Sequence, residues 1–239
     1  MANFLLVHGA WHGRWCWKKL VPFLEGYGHT VRTLDLPSHG GDRTSRLRVT
    51  LNTYGRAIQR EAESVEGPVI AVGHSMGGLA ISYAAEQQGL DISKLIYLSA
   101  LLPVRGENIR NLVVHDEESQ IIKGLKYVLH RAGARVRRDR ARDLFYGDCD
   151  EQDANWAIEN LCIQPGRPLF QRMRLVHQRF LEFPRVYIKC LQDKVLSPAF
   201  QQKMCEEGGF DKVISMDTSH SPFLSSPAEL AHHLHQVSH

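Results

Sequence analysis

Short apolar segments alternate with segments of helical patterning along most of the chain, and this alternation constrains the fold more than any other feature. Strands are predicted where valine, isoleucine and leucine cluster, at residues 4–7, 30–34, 69–72, 94–99, 185–191 and 212–216. Helices are predicted at residues 15–26, 51–65, 76–88, 198–206 and 227–237. Strands separated by helices favour parallel pairing, so we expect an α/β fold with a six-stranded, mostly parallel sheet flanked by helices.

Residues 104–183 interrupt this alternation between the fourth and fifth predicted strands. The segment is polar, basic and mostly helical in pattern, and it is far longer than a typical connection between neighbouring elements. We therefore predict a helical cap inserted after the fourth strand, over a core formed by residues 1–103 and 184–239. Within this insertion, the arginine-rich run 135–140 is interpreted as a solvated helix face, with attraction of anionic substrates as the alternative.

The composition is that of an ordinary globular domain, with 43% hydrophobic residues and a formal net charge of +3. This small charge gives no reason to expect nucleic acid or a membrane as a partner. The five cysteines include no CxxC pair, which argues against a disulfide framework and a zinc site. The first residues lack the pattern of a signal peptide, and no apolar run is long enough to span a bilayer. We expect a cytoplasmic protein that is a monomer or a homodimer.

Residues 73–78, Gly-His-Ser-Met-Gly-Gly, carry the pattern G-x-S-x-G between a predicted strand and a predicted helix. This setting is typical of a sharp turn that holds a nucleophilic serine in a strained backbone conformation. Such a turn would present the Ser75 hydroxyl at the carboxyl edge of the sheet, where parallel α/β sheets bind ligands. We therefore predict Ser75 as a catalytic nucleophile.

A serine hydroxyl needs a neighbouring base, and imidazole has a suitable pKa. Position selects His220 among the 13 histidines, because it follows the last predicted strand and so lies at the same sheet edge. His39 is the weaker alternative, and the histidines of the last helix are interpreted as surface residues, not metal ligands. Asp193 follows the fifth strand and would orient the imidazole, although a plain turn aspartate is the alternative. The order Ser, Asp, His is the one expected of α/β-hydrolases.

Ester cleavage also requires donors for the oxyanion of the tetrahedral intermediate. One predicted donor is the N–H of Met76, at the start of the helix after the nucleophile. The second is the N–H of Ala10, in the loop after the first strand, where Gly9 lets the backbone approach closely. Trp11 is predicted to line the substrate pocket, and the two tryptophans that follow it are assigned to the core rather than the pocket.

Several stretches together resemble the plant methylesterase and hydroxynitrile lyase family and its bacterial esterase relatives. They are residues 8–17, 28–31, 34–40, 73–78, 145–149, 168–170, 191–194, 200–201 and 219–222. The resemblance covers nearly the whole chain and implies an α/β-hydrolase fold, a cap over a largely apolar pocket and no cofactor. It also implies that Ser75, Asp193 and His220 form the triad. The N–H groups of Ala10 and Met76 would form the oxyanion hole.

Two positions separate the branches of this family. Hydroxynitrile lyases carry a lysine directly after the catalytic histidine and a threonine in the first loop, whereas this chain has Ser221 and Gly9 there. Because a lyase needs the lysine charge to accept cyanide, lyase activity is disfavoured. Plant methylesterases usually have methionine after that histidine, so Ser221 leaves the acyl and alcohol preferences open.

The sequence thus predicts a serine hydrolase that cleaves small to medium hydrophobic or aryl carboxylic esters through an acyl-enzyme intermediate. The alternative enzymes are a hydroxynitrile lyase or a thioester, lactone or C–C hydrolase with the same triad. A non-catalytic ligand-binding homologue is the alternative from another class, but such a protein need not keep all three triad groups. The expected partner is a small-molecule ester, and neither a metal nor another cofactor is expected.

Overall fold

The structure is a computed structural model that describes residues 1–87, 89–128 and 132–239. Its strands are β1 (Asn3–Val7), β2 (Thr30–Thr33), β3 (Val69–His74), β4 (Ile92–Leu98), β5 (Leu125–Val128), β6 (Gly133–Val136), β7 (Gln164–Pro165), β8 (Arg185–Cys190) and β9 (Lys212–Met216). Its α-helices are α1 (Leu20–Gly26), α2 (Leu51–Glu63), α3 (Gly77–Ala85), α4 (Ile109–Val114), α5 (Ile121–Gly124), α6 (Arg138–Phe145), α7 (Glu151–Asn160), α8 (Gly166–Phe170), α9 (Pro198–Gly208), α10 (Pro222–Ser225) and α11 (Pro227–Gln236). Short 3-10 helices lie at Arg14–Lys19, Arg46–Arg48 and Arg179–Leu181.

Among the described residues, six strands form one sheet in the order β2-β1-β3-β4-β8-β9, and every pairing in it is parallel. This confirms the predicted α/β sheet. The register aligns the carboxyl ends, since Val7 lies opposite Gly73 and Leu98 lies opposite both His74 and Ile188. The chain passes from β1 to β2 on one side and returns to β3 on the other side of β1. Open α/β sheets bind ligands in the crevice at such a reversal of strand order.

Both faces of this sheet are covered. All six residues of β3 are buried, although successive side chains of a strand point to opposite faces. In the helical layers, α1 packs on α11 and α2 packs on α3. A capping box begins α2, in which Thr50 Oγ accepts from Thr53 N at 3.1 Å and Thr53 Oγ accepts from Thr50 N at 2.8 Å. The buried side of α2 has helical spacing and consists of Leu51, Tyr54, Ile58 and Ala62.

The insertion differs in part from the prediction. It contains α4 to α8, as expected, but also a small antiparallel sheet in the order β5-β6-β7 that was not predicted. In β6, two buried small residues, Gly133 and Ala134, precede Arg135, so the sequence lacks the alternation by which strands are recognised. The prediction of one arginine-rich helix face was wrong, because Arg135 belongs to β6 and α6 begins at Arg138.

All five predicted helices have somewhat different bounds in the structure, and two of them differ most. The predicted helix 15–26 is a 3-10 helix followed by α1, which begins at Leu20. Pro22 explains this start, since proline is tolerated in the first turn of a helix but not in its interior. The predicted helix 76–88 is α3, and its predicted last residue, Gln88, lies outside the described residues. Within the described ranges, none of the helices has the length and apolarity needed to cross a membrane.

Candidate active site

Ser75 lies on the turn between β3 and α3, with a backbone φ of +55°. This left-handed conformation is unfavourable for a residue with a side chain, so the surrounding structure must hold it. Ser75 N donates to Leu98 O at 3.2 Å, and Ser75 O accepts from Gly78 N at 3.1 Å. A Cβ at Gly73 would lie 2.5 Å from Gly77 O, so only glycine permits this approach of strand and helix. The sharp turn expected for a nucleophilic serine is present.

Asp193 and His220 meet at the carboxyl edge of the sheet. Asp193 follows β8, and His220 follows the neighbouring strand β9. His220 Nδ1 lies 2.6 Å from Asp193 Oδ2, and both side chains are buried. A carboxylate in this position selects the imidazole tautomer with its proton on Nδ1 and leaves Nε2 to accept a proton.

Five donors fix the Asp193 carboxylate. Its Oδ1 accepts the N–H groups of Val195 at 2.6 Å and Leu196 at 3.1 Å. Its Oδ2 accepts the Ser99 hydroxyl, His220 Nδ1 and, at 3.5 Å, Gln201 Nε2. Because each oxygen has at least two donors, the orientation of the carboxylate towards the imidazole is set. Sequence reasoning missed Ser99, although a polar residue at the carboxyl end of a predicted strand is a signal that could have identified it.

His74 connects the turn of Ser75 to His220. His74 Nε2 donates to His220 O at 2.8 Å, and the two ring centroids are 4.5 Å apart. Burial lowers the pKa of His74 well below its ordinary value, so the ring is a neutral donor. Within the described part of the chain, Ser75 Oγ and His220 Nε2 form no hydrogen bond. Such catalytic hydrogen bonds often tighten only when substrate binds.

The N–H groups of Ala10 and Met76 are free donors beside Ser75. Neither of them donates to a protein acceptor among residues 1–87, 89–128 and 132–239. Both residues line the same cavity as Ser75. A Cβ at Gly9 would lie 2.8 Å from Ser75 Cβ, which shows how closely the two backbones approach. The structure therefore brings the two predicted donors together next to the serine.

Two buried histidines hold the loop of Ala10, and the sequence analysis gave neither of them a role. His8 Nδ1 donates to Gly9 O at 2.8 Å, and His8 Nε2 accepts from Leu36 N at 3.0 Å. His12 Nδ1 donates to Ala10 O at 2.8 Å. Burial lowers the pKa of His8 well below its ordinary value and the pKa of His12 to about 3, so both rings are neutral. No sequence pattern marks a histidine that bonds to a backbone carbonyl.

The cavity beside Ser75 is small and mostly apolar, with a volume of about 40 Å³. Trp11 lines it, and the Trp11 Nε1 donates to Ala134 O at 2.9 Å, which attaches the ring to β6. The other lining residues are Leu101, Ile109, Arg110, Val113, Ile121, Ile122, Leu125, Tyr127, Leu169, Val195 and Leu196. This volume is small for an ester, so we expect lining side chains or the insertion to move when an ester enters.

A larger cavity, of about 500 Å³, lies between the insertion and α9 and includes none of Ser75, Asp193 and His220 in its wall.

The alternative base His39 is buried and hydrogen bonded through Nε2 to Gln164 Oε1 at 2.9 Å, so it has a structural partner.

The two tryptophans that follow Trp11 differ in their burial. Trp17 is fully buried in the core, as assigned. Trp15 is only partly buried and packs edge-on against Trp156, with the ring centroids 5.2 Å apart. Neither of the two lines the small cavity.

Two named relatives and one solved structure are similar to this chain. A putative chloroplastic methylesterase (methylesterase 14) of Arabidopsis thaliana is 31% identical over 243 residues, which cover 95% of this chain and 69% of the relative. A pyrethroid hydrolase of Sphingobium wenxiniae is 31% identical over 240 residues, which cover 97% of this chain and 85% of the relative. The crystal structure of a pyrethroid hydrolase from Sphingobium faniae is similar with a TM-score of 0.85 and 28% identity, over 99% of this chain and 97% of that one. A model of the alpha/beta hydrolase family matches residues 4–233, and the chain therefore belongs to that family.

Proposed function

We propose that this protein is a serine hydrolase of carboxylic esters, in which Ser75 is the nucleophile, His220 the base and Asp193 the residue that orients the base. The observation that carries the proposal is the 2.6 Å contact of His220 Nδ1 with Asp193 Oδ2 at the sheet edge where the strained Ser75 turn lies. The relatives support it, since they are named as a methylesterase and as a pyrethroid hydrolase.

The proposed reaction proceeds through an acyl-enzyme. Ser75 Oγ attacks the ester carbonyl while His220 Nε2 takes the hydroxyl proton, and Asp193 stabilises the imidazolium. The N–H groups of Ala10 and Met76 bind the oxyanion of the tetrahedral intermediate. The intermediate collapses as the alcohol leaves with the proton from His220. Water, deprotonated by His220, then attacks the acyl group, and the acid is released as Ser75 regains its proton.

The proposed substrates are small to medium hydrophobic or aryl esters. The support is the apolar wall around Ser75, to which the insertion contributes side chains from α4, α5, β5 and α8. We propose that residues 104–183 act as a cap over a core of residues 1–103 and 184–239, and that the cap admits the ester by moving. The reaction needs no cofactor.

Position 221 disfavours cyanohydrin cleavage. Ser221 directly follows His220, it is fully buried, and its hydroxyl has no hydrogen-bond partner within the described ranges. A neutral hydroxyl cannot supply the charge that would hold a cyanide leaving group. A cyanohydrin offered to the enzyme should therefore remain intact under conditions in which an aryl ester is cleaved.

We further propose a cytoplasmic protein that is a monomer or a homodimer. All five cysteines are free thiols, which fits a reducing compartment. Cell fractionation and light scattering test the location and the oligomeric state.

Replacement of Ser75 tests the function. The variant Ser75→Ala should lose the hydrolysis of p-nitrophenyl butyrate by about 10⁴-fold or more and should lose labelling by a fluorophosphonate. Ser82→Ala is the matched control, because Ser82 is a buried serine of α3 whose hydroxyl donates to Gly78 O at 2.7 Å. It should keep both activities. A wild-type rate in Ser75→Ala, with its fold intact, would refute the proposal.

A further inference from the structure

A chain of buried hydrogen bonds connects the insertion to the loop that carries Ala10. Tyr146, directly after α6, donates its hydroxyl proton to His12 Nε2 at 2.8 Å. His12 Nδ1 in turn donates to Ala10 O at 2.8 Å. Tyr146 is 0% and His12 is 1% exposed, so water does not compete for either hydrogen bond.

The direction of each hydrogen bond in this chain is fixed. A carbonyl oxygen only accepts, so the ring proton of His12 lies on Nδ1. Nε2 must then accept, and the Tyr146 hydroxyl is its donor. Burial lowers the pKa of His12 to about 3 and raises the pKa of Tyr146 well above its ordinary value, so neither group becomes charged near neutral pH. Tyr146 therefore selects the tautomer with which His12 holds Ala10 O.

The two peptide planes on either side of Ala10 are both held by a histidine. His8 Nδ1 bonds to Gly9 O, which belongs to the plane that contains the Ala10 N–H. The C=O and N–H of a trans peptide point in opposite directions, so holding Gly9 O aims the Ala10 N–H away from it. His12 holds Ala10 O in the following plane. Rotation about the Ala10 backbone would break one of these hydrogen bonds.

The insertion also holds the next residue, Trp11, in an unfavourable conformation. Trp11 has a φ of +64°, which a residue with a side chain rarely adopts. Cys162 N donates to Trp11 O at 2.8 Å, and Trp11 Nε1 donates to Ala134 O at 2.9 Å. Cys162, Ala134 and Tyr146 all belong to the insertion. Its contacts therefore fix the two residues that follow Ala10.

We propose that Tyr146 and His12 are positioning residues for the Ala10 N–H, and that the insertion thereby sets the rate of the chemical step as well as covering the substrate. The inference rests on the proposed function, in which this N–H binds the oxyanion. The oxyanion exists only at the transition state and in the tetrahedral intermediate. Loss of the Tyr146 hydroxyl therefore lowers kcat and leaves KM unchanged.

The first test compares Tyr146→Phe with Tyr97→Phe. Tyr97 is the matched control, because it is also fully buried and its hydroxyl bonds to Ser82 Oγ at 2.8 Å, outside the cavity of Ser75. With p-nitrophenyl butyrate, Tyr146→Phe should lower kcat about 10-fold and leave KM within about twofold, which is less than the loss of a whole oxyanion donor. The same variant should also bind an alkyl trifluoromethyl ketone about 10-fold more weakly, because this inhibitor forms a tetrahedral adduct with serine. Tyr97→Phe should change neither quantity.

The second test separates positioning from packing at His12. The side-chain Nδ2 of asparagine occupies the place of His Nδ1 and can donate to Ala10 O, whereas leucine fills the space without a donor. His12→Asn should retain kcat within about threefold, and His12→Leu should lower it about 100-fold. In the His12→Asn background, Tyr146→Phe should have no further effect on kcat, because Tyr146 acts through the imidazole.

The outcomes are distinguishable. Equal kcat values for Tyr146→Phe and Tyr97→Phe would overturn the inference, and so would a change confined to KM or equal losses in His12→Asn and His12→Leu. If the wild-type protein neither cleaves the ester nor binds the ketone at Ser75, the proposed function fails as well. The wild-type enzyme can also be active while Tyr146→Phe has the same kcat as Tyr97→Phe and His12→Asn has the same kcat as His12→Leu. That result disproves only the positioning role.

Discussion

His220 Nδ1 lies 2.6 Å from Asp193 Oδ2, and the two side chains are 1% and 0% exposed. The contact follows from the sheet, because β8 and β9 are neighbours and Cys190 pairs with Met216 at their carboxyl ends. The loops that follow these residues therefore emerge side by side. A buried carboxylate that holds the Nδ1 proton leaves Nε2 as the only ring nitrogen able to accept the proton of a nucleophile.

Asparagine at position 193 should keep the shape of the site and remove its function. Asp193→Asn presents an amide to His220 Nδ1, which favours the wrong tautomer, so we expect kcat to fall by about 10³- to 10⁴-fold. Steady-state hydrolysis of p-nitrophenyl butyrate measures this loss. Asp217→Asn is the control, because the exposed Asp217 only accepts from Gln192 Nε2 at 2.9 Å. Equal rates in the two variants would remove Asp193 from the mechanism.

The loop of His220 should depend on Asp148 of the insertion. Asp148 Oδ2 accepts from Ser219 N at 3.0 Å, and Asp148 Oδ1 accepts the Ser219 hydroxyl. Asp148→Ala leaves Ser219 N without its partner and leaves the Ser219 hydroxyl with Phe145 O at 3.4 Å, so the free energy of unfolding should fall by about 1 kcal/mol. We also expect kcat to fall about 10-fold, since small displacements of a base slow proton transfer. Urea unfolding and kinetics measure both effects, with the exposed Asp139→Ala as an unaffected control. Unchanged values in Asp148→Ala would contradict the role.

Any side chain at position 9 should displace the nucleophile. A Cβ at Gly9 would lie 2.8 Å from Ser75 Cβ and 3.0 Å from His74 Nδ1, and both distances are shorter than a Cβ normally keeps from another heavy atom. Gly9→Ala should therefore lower kcat/KM for aryl esters about 100-fold, because a shift of about 1 Å in a reacting group has that effect. At Gly26, a Cβ would meet no atom within 4 Å, so Gly26→Ala is the matched control. A fully active Gly9→Ala enzyme would show that the loop can shift without any loss of kcat/KM.

Acid should destabilise the fold through its buried histidines. Burial lowers the pKa of His8 and His74 well below the ordinary value and that of His12 to about 3. As pH falls below about 6.5, the unfolded chain binds protons that the folded chain does not, so the free energy of unfolding falls. Each such histidine adds about 1.4 kcal/mol per pH unit to the slope of the free energy of unfolding against pH. For His12 this contribution continues down to a pH of about 3.

Urea unfolding at pH 7.5 and pH 5.5 measures this dependence. The wild-type protein should be less stable at the lower pH. His12→Asn should lose less of its stability between the two values, because one titrating group is removed. An equal pH dependence in both proteins would show that the folded chain protonates His12 as readily as the unfolded chain does, which would contradict the lowered pKa.

Much of the framework was predictable from the sequence, because each of the six sheet strands has its own local pattern. The G-x-S-x-G turn predicts Ser75, and position predicts Asp193 and His220, because each follows a strand and parallel strands share a carboxyl edge. The contacts that support them were not predictable. Tyr146 meets His12 across 134 residues, and this pairing depends on how the insertion folds over the core. The strand β6 was missed for the same reason, since its pairing with β5 and β7 stabilises it more than its own residues do.

Trapping of the acyl-enzyme tests the central claim most directly. The wild-type protein is mixed with p-nitrophenyl butyrate, quenched in acid within its first turnovers, digested and examined by mass spectrometry. The proposed mechanism predicts a butyryl group on the peptide that contains Ser75, with no such adduct in Ser75→Ala. A butyryl group on another residue, or ester hydrolysis that continues at the wild-type rate in Ser75→Ala, would contradict it.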